Sequence, residues 1–236
     1  MPTAEAVVAF ARALPGLKEL CLVGGEPLLH GERVLALING LADTAVRTII
    51  ITNGTACTPR FVEHLRGRNV HLVFSIDTLD PDFWQFVRGR PSFGRVMANF
   101  EQARQVLAPD QISVQSVLAV ETAEHVAAVG EWCRSLGIYH SIQDYIHQGF
   151  NGSWTPFERP HLAASGRCMA AGRNLSIMPD GAVFTCFQQP LIPDCEAPLG
   201  RIGEAPSAML HSAYAQAVIE RMKACDRPCK VLKCNT

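Results

Sequence analysis

The sequence predicts an α/β fold built on a parallel sheet, followed by a small cysteine-rich extension. Three observations carry that expectation. From residue 1 to about 146, short apolar runs rich in β-branched residues alternate with amphipathic helical stretches. Turn signals close several of the apolar runs: Gly24-Gly25, Asn53-Gly54 and Asp80-Pro81. Six of the nine cysteines, Cys168, Cys186, Cys195, Cys225, Cys229 and Cys234, crowd the last third of the chain.

An opening helix is expected over 3–14, with Thr3 as its N-cap, Pro15-Gly16 as its stop and Ala6, Val7 and Phe10 on one face. Strands are expected at 17–23, 46–52, 70–76, 111–118 and 138–146, with helical segments near 32–42, 59–67, 94–107 and 122–136 between them. Parallel strands joined by right-handed helical crossovers make either an open doubly wound sheet or a barrel-like curve. Ligands sit at the carboxyl ends of the strands in both. The tails Gly24-Gly25-Glu26-Pro27, Thr52-Asn53-Gly54-Thr55 and Ser75-Ile76-Asp77 should therefore ring one mouth.

The composition turns to Gly, Pro, Asn and Ser around 147–167, without a sustained period. The expected organisation is a first domain over 1–150, a linker over 151–166 and an extension over 167–236. Within the extension, 174–177 and 182–186 read as a hairpin around Pro179-Asp180-Gly181, and 205–223 reads as one amphipathic helix.

Composition excludes several function classes. The chain has 48% hydrophobic residues and a formal net charge of -1, with 21 basic against 22 acidic residues. It has the apolar mass for a core but no clustered positive charge for nucleic acid or a polybasic membrane contact. With no apolar run of about 18 residues and no signal-peptide pattern at MPTAEAVVAF, the expected setting is the cytoplasm. The eight histidines form no HxxxH or HExxH pair, so a zinc hydrolase site has no support.

Two constellations carry chemistry. In Gly24-Gly25-Glu26-Pro27, the glycines permit positive φ and close ligand approach, the carboxylate can bind an ammonium and Pro27 stiffens the exit. A plain tight turn explains those four residues equally well. In the second, Cys168 and Cys186 flank the Gly181 hairpin, with Cys225, Cys229 and Cys234 following. Soft thiolates at turn-punctuated spacings suit an iron–sulfur cluster, or less well zinc. Cys21 and Cys133 read as core thiols, and Cys57 as a loop thiol near the mouth.

Together LCLVGGEPLLH, IIITNGT, VFSIDTLDPDFWQFVRGRPSFGRVMANF and CMAAGRNLSIMPDGAVFTC resemble the radical S-adenosylmethionine (radical SAM) enzymes with a C-terminal SPASM or twitch extension. The resemblance implies a partial (β/α)6 TIM-like barrel, here without its first strand. It also implies that Gly24, Gly25, Glu26 and Pro27 hold the methionine ammonium of SAM. By position Ser75, Asp77 and Gln115 would face the SAM ribose or the substrate, although capping or turn-stabilising roles suit these three equally.

The same resemblance implies one auxiliary 4Fe–4S cluster on Cys168, Cys186 and two of Cys225, Cys229 and Cys234, with Cys195 as a weaker substitute. The chain departs from the family in holding no Cys-x3-Cys-x2-Cys loop upstream of Gly24, where Cys21 is the one cysteine. The expectation is an enzyme body whose natural chain starts further upstream, inactive as given, with an exposed apolar edge at 17–23. Its substrate would be a peptide or a small molecule and its electron donor a flavodoxin or ferredoxin. The alternative is a non-catalytic binding protein on the same barrel with one iron–sulfur or zinc site.

Overall fold

The computed structural model describes residues 1–145, 171–187, 189 and 197–224. The chain divides into two compact units. One holds Lys18 and the described residues that follow it through Tyr145, and the other holds Met1–Leu17 with the described residues from 171 onward.

The larger unit is a five-stranded sheet in the order β1-β2-β3-β4-β5, over Glu19–Leu22, Arg47–Thr52, Val70–Ser75, Ile112–Leu118 and Tyr139–Asp144. Every neighbouring pair is parallel. This order separates the two architectures left open by the sequence. A doubly wound sheet reverses its strand order part-way, whereas right-handed crossovers that always step the same way place every helix on one face, as in a barrel wall. Among the described residues the sheet is an open barrel segment with β1 and β5 as its edges.

The helix-covered face carries the core. Ile50, Leu72, Phe74, Ile112 and Val114 pack against Val34 and Ile38 of α2 (Gly31–Gly40), Phe61 and Val62 of α3 (Pro59–Glu63), Val96 and Phe100 of α5 (Phe93–Val106), and Val129 of α6 (Ala123–Ser135). Period-two alternation sends Ser75, Gln115 and Ser141 to the opposite face, and the register sets these three side by side across β3, β4 and β5.

Helix starts follow their caps. Thr58 Oγ1 accepts from Phe61 N at 3.3 Å ahead of Pro59. Asp80-Pro81, read in sequence as a turn, starts helix α4 (Pro81–Arg88): Asp80 Oδ1 accepts from Asp82 N at 2.8 Å and from Phe83 N at 3.2 Å. An Asp cap followed by proline at the first helical position has the same residue types as a turn, which is why the sequence does not separate them. Gly89 ends α4 in the left-handed region, at φ 65°.

The smaller unit joins α1 (Ala4–Ala13) to a three-stranded antiparallel sheet, β6-β7-β8, over Ser176–Ile177, Ala182–Phe184 and Gly200–Arg201. The hairpin turns at Gly181 with φ 87°, and Thr3 caps α1 by accepting from Ala6 N at 3.2 Å, both as expected. Phe10 of α1 shares a core with Val183 and Met209.

The single helix expected over 205–223 is two, α7 (Pro206–Leu210) and α8 (Ala213–Ala224). Ser212 explains the break: its hydroxyl oxygen accepts from Ala215 N at 3.1 Å, an N-cap inside what reads as one amphipathic run. No helix among the described residues is long and apolar enough to cross a membrane.

Candidate functional site

The site is built from the strand tails at the carboxyl edge of the parallel sheet. After β1 the chain passes through Gly24 at φ 91° and Gly25 at φ 44°, conformations that L side chains rarely adopt. Among the described residues, a β-carbon placed on either glycine would meet nothing within 4 Å, so this backbone is open to a ligand on that side. Pro27 then opens a short 3-10 turn, Pro27–His30, which Glu26 caps.

Glu26 is the centre of the arrangement. Its Oε1 accepts from Leu28 N at 3.0 Å and from the Thr52 hydroxyl at 2.7 Å, and its Oε2 accepts from Asn53 N at 2.7 Å. The carboxylate thus staples the β1 tail to the β2 tail. Of about four lone-pair positions on a carboxylate, donors among the described residues use both on Oε1 and leave one on Oε2. A single further donor, such as an ammonium N–H, can complete it.

The β2 tail is built around that grip. Thr52 is 1% exposed, and its oxygen also accepts from Gly54 N at 3.0 Å. Asn53 Oδ1 accepts from Thr55 N at 2.9 Å, and Asn99 Nδ2 donates to the Gly54 carbonyl at 2.8 Å. Cys57 lies fully buried beside this turn, and burial, then the Glu26 charge, pushes its thiol up to about 12. It is therefore a packed thiol rather than a reactive one.

At the β3 tail, Asp77 is 4% exposed; its Oδ2 meets Arg88 Nη2 at 2.5 Å and its Oδ1 accepts from Val117 N at 2.8 Å. The same Arg88 nitrogen donates to the Ser75 carbonyl at 3.0 Å. Asp77 therefore ties β3 to β4 and α4. Ser75 and Gln115 are direct register partners on the helix-free face, with Ser141 next in the row. A shallow depression lined by Arg47, Arg68, Asn69 and Asp110 lies instead at the amino ends of β2 to β4. In parallel α/β sheets ligands bind at the other end, which favours the tails over this depression.

Cys21, expected in the core, is exposed, because β1 is an edge strand whose residues alternate between exposed and half-buried. Cys133 is buried as expected, where burial pushes its thiol up to about 11. Of the proposed cluster ligands Cys186 is half-buried, while Cys168, Cys225, Cys229, Cys234 and the substitute Cys195 lie outside the described residues.

Residues 1–133 match the model of the Radical SAM superfamily, more than half of the chain. The chain belongs to this superfamily.

Among curated proteins, this radical SAM chain is 34% identical over 125 residues to the AdoMet-dependent heme synthase of Methanosarcina barkeri, covering 51% of this chain. It is 25% identical over 170 residues to the GTP 3',8-cyclase of Rhodopseudomonas palustris, covering 70% of this chain. It spans 35% and 49% of those two relatives' own lengths.

Among solved structures the fold is similar to Streptococcus suis SuiB bound to S-adenosylmethionine, at TM-score 0.74 and 15% identity over 92% of this chain and 61% of that one. It is also similar to native anSMEcpe with bound AdoMet and the Kp18Cys peptide, at TM-score 0.68 and 14% identity over 92% of this chain and 74% of that one.

Radical SAM chemistry uses SAM and a 4Fe–4S cluster. The open positive-φ glycine pair and the remaining Glu26 acceptor fit the amino-acid end of SAM. The residues do not fit the SAM-cleaving cluster: the 236 residues hold no Cys-x3-Cys-x2-Cys, Cys21 stands alone on an edge strand, and Cys57 is buried and protonated.

Sequence reasoning set Thr52 and Asn53 at the mouth without their role, and missed Arg88 and Ser141. The Thr-Asn-Gly run at the end of β2 marked a turn, but nothing in it announced that its donors serve a carboxylate 26 and 27 positions earlier.

Proposed function

We propose that residues 1–236 form the SAM-binding and substrate-facing part of a radical SAM enzyme that modifies a peptide. The observation that carries the reading is the Glu26 carboxylate, held by two strand tails beside an open Gly24-Gly25 backbone with one acceptor position to spare. In this assignment Gly24, Gly25 and Pro27 shape the backbone that receives the methionine end of SAM, and Glu26 accepts from its ammonium. Ser75 and Gln115, with Ser141, present polar groups to the ribose or the substrate, and Asp77 holds the β3 tail that carries Ser75. Bound SAM supplies the radical chemistry; these residues bind and orient.

A peptide substrate is supported by the neighbours solved with peptides, anSMEcpe with Kp18Cys and SuiB with its precursor peptide SuiA, each similar over 92% of this chain. The GTP 3',8-cyclase relative makes a small-molecule substrate the rival. We further propose one auxiliary 4Fe–4S cluster on Cys168, Cys186 and two of Cys225, Cys229 and Cys234, in a twitch-like extension, and a flavodoxin or ferredoxin as electron donor of the full enzyme.

Because the 236 residues lack a cluster triad, this polypeptide alone is expected to bind SAM without cleaving it.

The test is calorimetric titration of SAM into the chain and into Glu26→Gln, with a parallel assay for 5′-deoxyadenosine under dithionite. SAM should bind, and Glu26→Gln should weaken it about tenfold, the loss of one charge-assisted hydrogen bond. Absence of SAM binding, or an unaffected Glu26→Gln, overturns the assignment; 5′-deoxyadenosine from this chain overturns the claim that it does not cleave SAM. Iron, sulfide and zinc analysis of anaerobically purified protein separates the cluster from zinc.

A further inference from the structure

We infer that Thr52 is a positioning residue for recognition of the SAM ammonium, acting through Glu26 without touching the ligand. The inference rests on the reading of Glu26 given under the proposed function.

At 1% exposure Thr52 has no surface to offer a ligand. Its hydroxyl has one proton, and that proton goes to Glu26 Oε1 at 2.7 Å, since the oxygen is already the acceptor for Gly54 N at 3.0 Å. The Gly54 amide therefore fixes the rotor, and the rotor fixes the carboxylate.

A glutamate carboxylate turns easily about its last torsion, which is broad and roughly two-fold. Without Thr52, Leu28 N and Asn53 N would each hold one oxygen, and a second lone pair, on Oε1, would stay open. Thr52 adds the second donor on the same oxygen, and Asn53 N takes one position on Oε2, which leaves the last lone pair in one place. An ammonium then meets a pre-oriented acceptor instead of paying to order one, which is how a hidden hydroxyl raises affinity.

Thr52 also supplies selectivity in kind. Its effect should appear only for ligands that carry the amino-acid group, because it acts through the Glu26 carboxylate, which the proposed function assigns to the ammonium.

Calorimetric titration of the 236-residue chain with SAM and with 5′-methylthioadenosine, which keeps adenosine and sulfur but has no amino acid, tests this. Thr52→Val, which keeps the shape and removes the donor, should weaken SAM about tenfold. Thr52→Ser should bind SAM within about twofold of the parent, and 5′-methylthioadenosine should be weakened in neither variant. Equal loss for both ligands, or loss in Thr52→Ser equal to that in Thr52→Val, would make Thr52 a structural residue only and overturn the inference.

Glu26→Gln is titrated alongside. If it weakens SAM and Thr52→Val does not, the inference fails while the reading of Glu26 stands; if Glu26→Gln has no effect, that reading itself fails. Circular dichroism checks folding, and should Thr52→Val not fold, Thr52→Ala against Thr52→Ser carries the same comparison.

Discussion

The Asp77 carboxylate and the Arg88 guanidinium meet at 2.5 Å across the turn that leads from β3 into α4, with the carboxylate side chain 6% exposed and the guanidinium side chain 27% exposed. The carboxylate also accepts from Val117 N, so one buried charge joins three elements at the carboxyl edge of the sheet. Arg88 in turn lies over the Trp84 ring, 5.4 Å from its centroid.

Arg88→Met should therefore destabilise the larger unit by leaving Asp77 buried without its cation. Breaking a fully buried pair from one side costs about 3–5 kcal/mol, and the partial exposure of Arg88 brings the expected loss to about 2 kcal/mol. Urea unfolding followed by tryptophan fluorescence measures it. Arg88→Met combined with Asp77→Asn should recover part of the loss, because the uncompensated charge is then gone.

Gly54→Ala is expected to be costly for two separate reasons. The residue sits at φ 79°, and a β-carbon there would come within 2.8 Å of Val96 Cγ1 and 3.0 Å of Phe74 Cδ1. Left-handed strain of about 1–2 kcal/mol and overpacking of about 1–3 kcal/mol add in the same direction. A drop in the urea midpoint of the purified variant checks the sum, and an unchanged midpoint would show that the tail relaxes freely.

The strands were legible because β-branched runs such as Thr48 to Ile51 in β2 have one comfortable backbone state, and their caps were legible wherever the capping partner is local, as at Thr3. The glycines beside Glu26 marked it in the sequence as a candidate ligand-binding group. Its protein partners were not marked, since Thr52 and Asn53 come to it only through the β1–β2 pairing. The Asp77–Arg88 pair escaped because it forms only once α4 folds back on the β3 tail, and Cys21, on the edge expected at 17–23, is exposed where the sequence reads it as a core thiol.

Acid should weaken the larger unit through two histidines. His140 is shifted down by burial; the Ser116 hydroxyl, donating to the Ile76 carbonyl, accepts from its Nε2 at 2.7 Å. His71 is also shifted down, by burial first, with the charge of Arg47 adding to it and the Asp110 carbonyl opposing. Both rings favour the neutral form in the fold, so stability is full above the free-histidine pKa of about 6.5 and falls as the pH drops below it. The urea midpoint should decline as the pH falls below about 6.5, and His140→Gln, whose amide can replace the Nε2–H donor, should make that decline shallower.

Cys57 and Cys133 should resist alkylation in the folded protein. Their thiols are pushed up to about 12 and about 11, and both are fully buried. Iodoacetamide at pH 8 followed by peptide mass mapping should leave both unmodified, and labelling in urea should modify both. Modification of Cys57 in the native protein would reveal opening of the tail that holds Glu26.

The packing of Phe10 against Val183 and Met209 has a consequence for synthesis. Helix α1 leaves the ribosome well before these partners, which follow roughly 170 to 200 residues later, about 10–40 s at ordinary elongation rates. For that interval Phe10 lacks Val183 and Met209, while the sheet between can already be forming strand by strand. That core thus closes late, and a stalled or slowed ribosome would leave Phe10 without Val183 and Met209 for longer.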